Sequence, residues 1–234
     1  MKINIKTNKK LFFFMAIAWA FLVLLEIVSV NNALAATSPS IDEVINRLQR
    51  TYENTKDFKA GFSQATTIRS IKKTDIEEGT VYLKKPKNML WNYSKPKAKK
   101  LVINSRKAWL YLPQEKAAYV QEAENIFKSR TLIKFLSGLG KLKDDFSIKY
   151  AEPDSFDKQG NYLLILTPRE KAPNLYPFRV TVDKNTSLIL QVSFDDALGN
   201  STVVKFSNIV TNAGLSEKMF QFKPPKGVSI FNMP

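Results

Sequence analysis

Residues 183–210 read DKNTSLILQVSFDDALGNSTVVKFSNIV, and this stretch decides the fold class. Between positions 187 and 194 apolar and polar side chains alternate, with Ile189 as the single exception, and the face expected to be buried carries Leu188, Leu190, Val192 and Phe194. A period of two is typical of a half-buried β-strand. Turn signals lie at 183–186 and at Gly199-Asn200, so this strand and the run from Thr202 to Val210 are predicted to pair as an antiparallel hairpin.

The same alternation recurs through most of the chain after Phe58. It is clearest at residues 80–84, 108–112 and 178–182. Many short strands separated by turn residues favour one large sheet, curved or closed. We find no internal repeat and no linker in the sequence, so the fold is predicted to be mainly β with some α in a single domain.

An amphipathic helix is predicted ahead of the strands. Its apolar residues recur at helical spacing, and they are Ile41, Val44, Ile45, Leu48 and Tyr52. Ser40 and Glu43 form a capping-box pair at its start. The apolar face of this helix is expected to dock on another apolar surface.

A second, strongly apolar segment interrupts the alternating pattern of the predicted strands. It contains Ile126, Phe127, Leu132, Ile133, Phe135, Leu136 and Leu139, and Gly138 and Gly140 mark its end. This composition predicts a short helix that is apolar around much of its circumference and therefore covers something. Ordinary core packing against the sheet is the alternative, because apolar stripes are usually core.

The first 35 residues have the composition of an export signal. Four lysines within residues 2–10 precede an apolar run from Leu11 to Leu25, and Ala33-Leu34-Ala35 supplies small residues for cleavage. We expect cleavage after Ala35, a domain of residues 36–234 and a periplasmic location. The alternative is an uncleaved membrane anchor, although the run is shorter than the roughly 20 apolar residues of a spanning helix. A lipid anchor is not expected, since the sequence has no cysteine to acylate.

The charge of the chain is strongly basic. Removing residues 1–35, with their four lysines and one glutamate, lowers the formal net charge from +15 to +12. Seven lysines lie between residues 84 and 100, where they could steer the protein towards acidic partners or anionic lipid headgroups. The alternative is a solvated face that keeps the protein soluble. Nucleic acid is not an expected partner, because no nucleic-acid-binding motif is recognisable.

The side chains needed for catalysis are scarce. The sequence has no histidine and no cysteine, which excludes Ser-His and Cys-His nucleophile pairs and an ordinary zinc site. The adjacent acids Glu77-Glu78, Asp144-Asp145 and Asp195-Asp196 remain as candidates, and we interpret all three pairs as solvated charges at turns. An enzyme is therefore not expected, and neither is a cofactor or a metal.

A series of short motifs runs in order through the chain after the first helix. The series comprises Phe58-x-x-x-Phe62-x-Gln64, Gly79-x-Val81-x-Leu83, Lys84-Lys85-Pro86, Trp91, Pro96, Leu101-Val102-Ile103, Trp109-x-Tyr111-x-Pro113, Leu166-Thr167-Pro168 and Phe220-x-Phe222-x-Pro224-Pro225-x-Gly227-Val228. In order and spacing it resembles the LolA family, the outer-membrane lipoprotein carrier proteins of the bacterial periplasm.

The resemblance implies an open, half-closed antiparallel β-barrel with a helical lid that encloses an apolar cavity for the acyl chains of lipoproteins. It also implies a monomer that receives lipoproteins from an inner-membrane lipoprotein-releasing ABC transporter and delivers them to an outer-membrane lipoprotein acceptor. Two alternatives stay open. One is a periplasmic carrier or sensor of another lipid, such as a phospholipid or glycolipid, because a fold does not fix a function. The other is an exported interaction protein with a filled core.

The resemblance also suggests site residues. The predicted wall of the cavity consists of Phe62, Leu83, Trp91, Trp109 and Tyr111, with Tyr93 as a weaker candidate, and the predicted lid presents Leu132, Phe135 and Leu136. The alternative for each is plain core packing. Lys85 stands where the family usually has an arginine that bonds lid-helix carbonyls, and a lysine is expected to make a looser latch. The alternative for Lys85 is an ordinary surface lysine.

Overall fold

The computed structural model describes residues 39–124, 141–170 and 176–233. The predicted helix is confirmed as α1, Ile41–Asn54, with the Ser40 hydroxyl accepting a hydrogen bond from the Glu43 backbone N–H at 3.3 Å. Its predicted apolar face is buried at Val44, Ile45, Leu48 and Tyr52. A second helix of one turn, α2, spans Leu142–Asp145. The predicted export signal and the predicted lid lie outside the described residues.

In the part of the chain that the structure describes, twelve strands form one sheet. In chain order they are β1 Asp57–Ile68, β2 Lys73–Lys84, β3 Asn88–Lys95, β4 Lys99–Ile103, β5 Lys107–Leu112, β6 Ala117–Glu122, β7 Phe146–Tyr150, β8 Tyr162–Pro168, β9 Phe178–Val182, β10 Ile189–Asp195, β11 Ser201–Thr211 and β12 Ser229–Asn232. The order across the sheet is β12-β6-β5-β4-β3-β2-β1-β11-β10-β9-β8-β7. All neighbours are antiparallel except β12 and β6. Because β12 and β7 are the two edges, the sheet is an open half-barrel, as predicted.

Helix α1 packs on one face of this sheet, which we call the inner face. The strands beneath it are β7 to β10. Their buried inner-face residues are Phe146, Tyr162, Leu164, Leu166, Phe178, Val180, Val182, Ile189 and Val192. Burial of this apolar surface is the main term that holds α1 in place, at about 25 cal/mol for each Å² removed from water.

The hairpin predicted from residues 183–210 is confirmed as β10 and β11, but the predicted buried face was wrong at Ile189 and at Phe194. Ile189 is only 2% exposed, whereas Phe194 is 42% exposed. The pairing of β10 with β9 shifts register between Ile189 and Gln191. Such a bulge turns Ile189 into the core even though the next buried residue, Val192, is three positions away.

The prediction that Glu77 and Glu78 are turn charges was also wrong. Both residues lie within β2. The Glu77 carboxylate pairs with the Lys99 ammonium at 2.6 Å, and the Glu78 carboxylate pairs with the Lys95 ammonium at 2.9 Å. These acids therefore tie β2 to the start of β4 and the end of β3.

Candidate functional site

A group of aromatic side chains covers the inner face beside the strands that α1 covers. We call Phe62 on β1, Trp91 and Tyr93 on β3 and Phe206 on β11 the aromatic wall. The ring centroid of Phe62 lies 4.9 Å from those of both Trp91 and Tyr93, and Trp91 lies 6.2 Å from Phe206. The contacts of Phe62 are edge-on, a geometry that aromatic rings favour. Phe62 is buried, but the other three remain half-buried, so the wall keeps apolar surface available for contact.

Gly79 makes room for this wall. It pairs with Phe62 across β1 and β2. A Cβ atom at position 79 would lie 2.9 Å from Cε1 of Phe62 and 2.2 Å from the backbone oxygen of Asn92. Only glycine allows the ring of Phe62 and the backbone of β3 to approach so closely.

The strand register brings three predicted cavity residues to the same face. Phe62, Leu83 and Trp91 all lie on the inner face, together with the weaker candidate Tyr93. Leu83 is 7% exposed and belongs to the buried cluster of Phe58, Ala60, Phe62, Val81, Met89, Ile103 and Ala108. It supports the wall from one end, whereas Trp91 and Tyr93 form its more accessible surface.

The predicted grouping of Trp109 and Tyr111 with these residues is corrected by the register. Trp109 pairs with Val102, and Tyr111 with Lys100, whereas Leu110 pairs with the inner-face residue Leu101. Both rings therefore lie on the outer face, where their centroids are 5.6 and 5.3 Å from that of Phe222. Alternation separates two faces but does not say which one is inner. The Phe220-x-Phe222 spacing in the C-terminal segment was the signal that could have revealed a cover over the outer face.

Lys85 lies at the C-terminal end of α1. Its ammonium donates to the backbone oxygens of Tyr52 and Glu53, the latter at 3.2 Å. These carbonyls carry the negative end of the helix dipole, so a cation is favoured there. Burial lowers the pKa of Lys85, and the nearby Glu53 carboxylate opposes that shift. The described side-chain hydrogen bonds of Lys85 are thus with α1, while its predicted contact with the lid lies outside the described residues and stays a prediction.

The sequence of this half-barrel matches one family. Residues 53–223 correspond to the family described as "Outer membrane lipoprotein carrier protein LolA". The chain belongs to the LolA family.

Individual relatives agree with that assignment. An "Outer-membrane lipoprotein carrier protein" from Methylococcus capsulatus is 27% identical over 188 residues, covering 80% of this chain and 86% of the relative. One of the same name from Legionella pneumophila strain Corby is 28% identical over 211 residues, covering 90% of this chain and 96% of the relative. Among solved structures, an uncharacterised conserved protein from Thermus thermophilus shares the fold, with a TM-score of 0.52 at 13% identity over 83% of this chain and all of that one.

In this LolA-family chain Asp57 organises the route of the C-terminal segment, a role that the sequence did not reveal. Its buried carboxylate accepts hydrogen bonds from the backbone N–H groups of Ala213, Gly214 and Leu215 at 2.7, 3.0 and 3.1 Å. Lys84 donates to the Leu215 oxygen at 2.6 Å. These bonds fix the turn after β11, from which the chain continues to Phe220 and Phe222. An isolated aspartate at the start of a strand carries no sequence signal for partners 156 to 158 positions away.

Two further properties of the described residues bear on function. Within residues 39–124, 141–170 and 176–233, no group of three or more acidic, histidine or cysteine residues could hold a metal ion. In the same part of the chain, no helix combines the length and apolar character needed to cross a membrane.

Proposed function

We propose that this protein is a periplasmic carrier for lipoproteins. It binds the acyl chains of lipoproteins released from the inner membrane by an ABC transporter and delivers them to an outer-membrane acceptor. The observation that carries this proposal is the aromatic wall, an apolar surface left half-buried on the inner face of a LolA-family half-barrel. Pockets for apolar ligands are lined in this way, by hydrophobic and aromatic side chains with few polar groups.

The size of the hydrophobic effect explains why such a cargo needs a carrier. Each CH₂ group removed from water contributes about 0.8 kcal/mol, so a chain of more than ten such groups gains on the order of 10 kcal/mol. An acylated protein without a carrier would lose that energy on leaving a membrane. A wall of large aromatic rings offers this contact area without any covalent chemistry, which fits a carrier and not a catalyst.

Helix α1 and Lys85 provide a means to change the size of the site. The hydrogen bonds of Lys85 hold the end of α1 close to the end of β2, two residues beyond Leu83. We propose that an entering acyl chain displaces this contact, and that Leu132, Phe135 and Leu136 cover the chain once it is bound. Release then requires the Lys85 contact to form again.

Lipopeptide binding tests the proposal directly. An environment-sensitive apolar dye should bind the purified protein, and a triacylated peptide should displace it while its unacylated counterpart does not. Trp91→Ala should weaken lipopeptide binding about tenfold, because it removes a large apolar contact. The control, Trp109→Ala, removes the same side chain from the outer face and should change affinity by less than about twofold.

Three results would count against this reading. Equal losses in the two tryptophan variants would mean that the wall is not the binding surface. Phospholipid or glycolipid in place of lipoprotein, found by mass spectrometry after gentle purification from the periplasm, would favour a carrier of those lipids. Unchanged dye and lipopeptide binding in Leu132→Glu and Phe135→Glu would remove the proposed lid.

A further inference from the structure

The most exposed aliphatic side chains of the described residues meet at one end of the sheet. Ile71, in the β1–β2 turn, is 63% exposed, and Leu198, in the β10–β11 turn, is 80% exposed. Because β1 pairs with β11, these two turns are neighbours. We call residues 68–73 and 196–200 together the hairpin tip. Ile76 and Phe194, on the strands just behind it, are also exposed.

The hairpin tip extends beyond the neighbouring part of the sheet. β2 begins at Lys73, but its pairing with β3 begins only at Glu78. Five residues at about 3.3 Å each carry the tip roughly 15 Å past the end of β3. The tip therefore stands clear of β3 and can contact a flat surface on that side.

The tip is held in shape by hydrogen bonds within and between its turns. The Asp196 carboxylate accepts from the backbone N–H groups of Leu198 and Asn200 at 2.8 and 2.9 Å. Between the turns, the Arg69 backbone N–H donates to the Asn200 side-chain oxygen at 3.1 Å. A Cβ atom at Gly199 would lie only 3.0 Å from the Arg69 guanidinium, so the side chain of Arg69 lies across the β10–β11 turn. Ile71 and Leu198 are therefore presented together by a fixed scaffold.

We propose that the hairpin tip inserts Ile71 and Leu198 into the headgroup region of an anionic phospholipid bilayer. Two aliphatic side chains offer much less area than the roughly 800 Å² that each partner buries in a specific protein interface. A bilayer surface, in contrast, accepts small apolar protrusions and yields reversible binding. Reversible binding suits a protein that has to leave the membrane again.

The distribution of charge favours an anionic surface. The tip itself carries Arg69, Lys72 and Lys73 against Asp196. Just behind it on the strands, Asp75 pairs with Lys73 at 2.8 Å and Asp195 adds one more carboxylate. The tip together with Asp75 and Asp195 is thus neutral, while the protein without residues 1–35 carries a formal net charge of +12. Exposed Lys97 and Lys100, at the same end of the sheet, add to the attraction by anionic lipids.

Vesicle binding by the exported, cargo-free protein tests this inference without reference to lipoprotein binding. The vesicles contain phosphatidylcholine with phosphatidylglycerol as the anionic minority. In co-sedimentation, the double variant I71S/L198S should bind at least about fivefold less than the parent. Val210→Ser is the matched control, because Val210 is 49% exposed at the other end of β11, and it should bind like the parent.

A fluorescence measurement separates insertion from adsorption through lysines elsewhere. The emission of Leu198→Trp should shift to the blue on addition of anionic vesicles, and that of Val210→Trp should not. Parental binding by I71S/L198S, or equal shifts in both tryptophan variants, would overturn the inference. So would a concentration-dependent dimer that I71S/L198S abolishes, since the tip would then be a contact between copies. Lipopeptide affinity should be the same in parent and double variant, which keeps this test apart from that of the carrier function.

Discussion

The inner face of the sheet has two halves that differ in how their apolar surface is covered. In the covered half, β7 to β10 lie beneath α1, and Leu48, Leu164 and Val182 have no measurable exposure. In the aromatic half, β1, β3 and β11 carry the aromatic wall, and Trp91 and the neighbouring Leu101 on β4 stay half-buried. Both halves belong to one continuous sheet and point their side chains to the same side.

This difference in coverage suits the two halves to different tasks, one to the stability of the fold and the other to binding. The side chains beneath α1 are closely packed, and a core of this kind loses stability when any methyl group is removed. Flat aromatic rings have few rotatable bonds and offer large surfaces, so they can exchange one apolar neighbour for another. We infer that the covered half holds the fold together and leaves the aromatic half free to accept cargo.

The largest expected effect comes from the same deletion made in each half. Leu164→Ala leaves a cavity beneath α1 and should lower the free energy of unfolding by about 3 kcal/mol. Leu101→Ala removes the same atoms from a half-buried site and should cost about 1 kcal/mol. Urea denaturation of both variants measures the difference. Equal losses would show that the two halves are packed alike.

Two glycines in the aromatic half differ in what an added Cβ atom would meet. A Cβ atom at Gly79 meets the Asn92 backbone, which cannot move aside, so Gly79→Ala should cost about 2 kcal/mol and weaken lipopeptide binding. At Gly61 a Cβ atom lies 2.8 Å from the Ser207 hydroxyl, which can rotate away. Gly61→Ala should therefore cost less than about 1 kcal/mol. Thermal unfolding and lipopeptide titration of both variants check these expectations. If Gly79→Ala changes neither stability nor binding, the close packing of the aromatic wall is unimportant.

The sequence predicted those features that depend on local pattern. Helix α1 and the β10–β11 hairpin follow from periodicity, capping and turn residues that lie within a few positions of one another. Ile189 could not be placed, because the bulge that turns it inward depends on pairing with β9. The face of the sheet on which Trp109 lies could not be predicted either, since the residue that covers it there, Phe222, comes more than a hundred positions later in the chain. Local sequence patterns therefore predicted where the strands lie, whereas long-range pairing determines which side chains share a face.

Lys85 connects the two halves, and changing it tests whether they move relative to each other. Its ammonium on the aromatic side holds the last carbonyls of α1, the helix that seals the covered half. Arginine presents five donors in a planar fork, whereas lysine presents three on a mobile head. Lys85→Arg should thus hold α1 more firmly, favour the closed, empty form and lower lipopeptide affinity.

Lys85→Leu should have the opposite effect, because it removes both hydrogen bonds and favours the open form. One such bond to a charged donor is worth about 1.5 to 3 kcal/mol, enough to shift the balance of the two forms about tenfold or more. Lipopeptide affinity should rise and release should slow, since the loaded state becomes too stable. Dissociation constants and release rates of the parent and both variants measure this, and Lys97→Leu, which removes an exposed lysine from the β3–β4 turn, controls for the lost charge. If both Lys85 variants stay within about twofold of the parent, the contact with α1 is a helix cap and does not regulate binding.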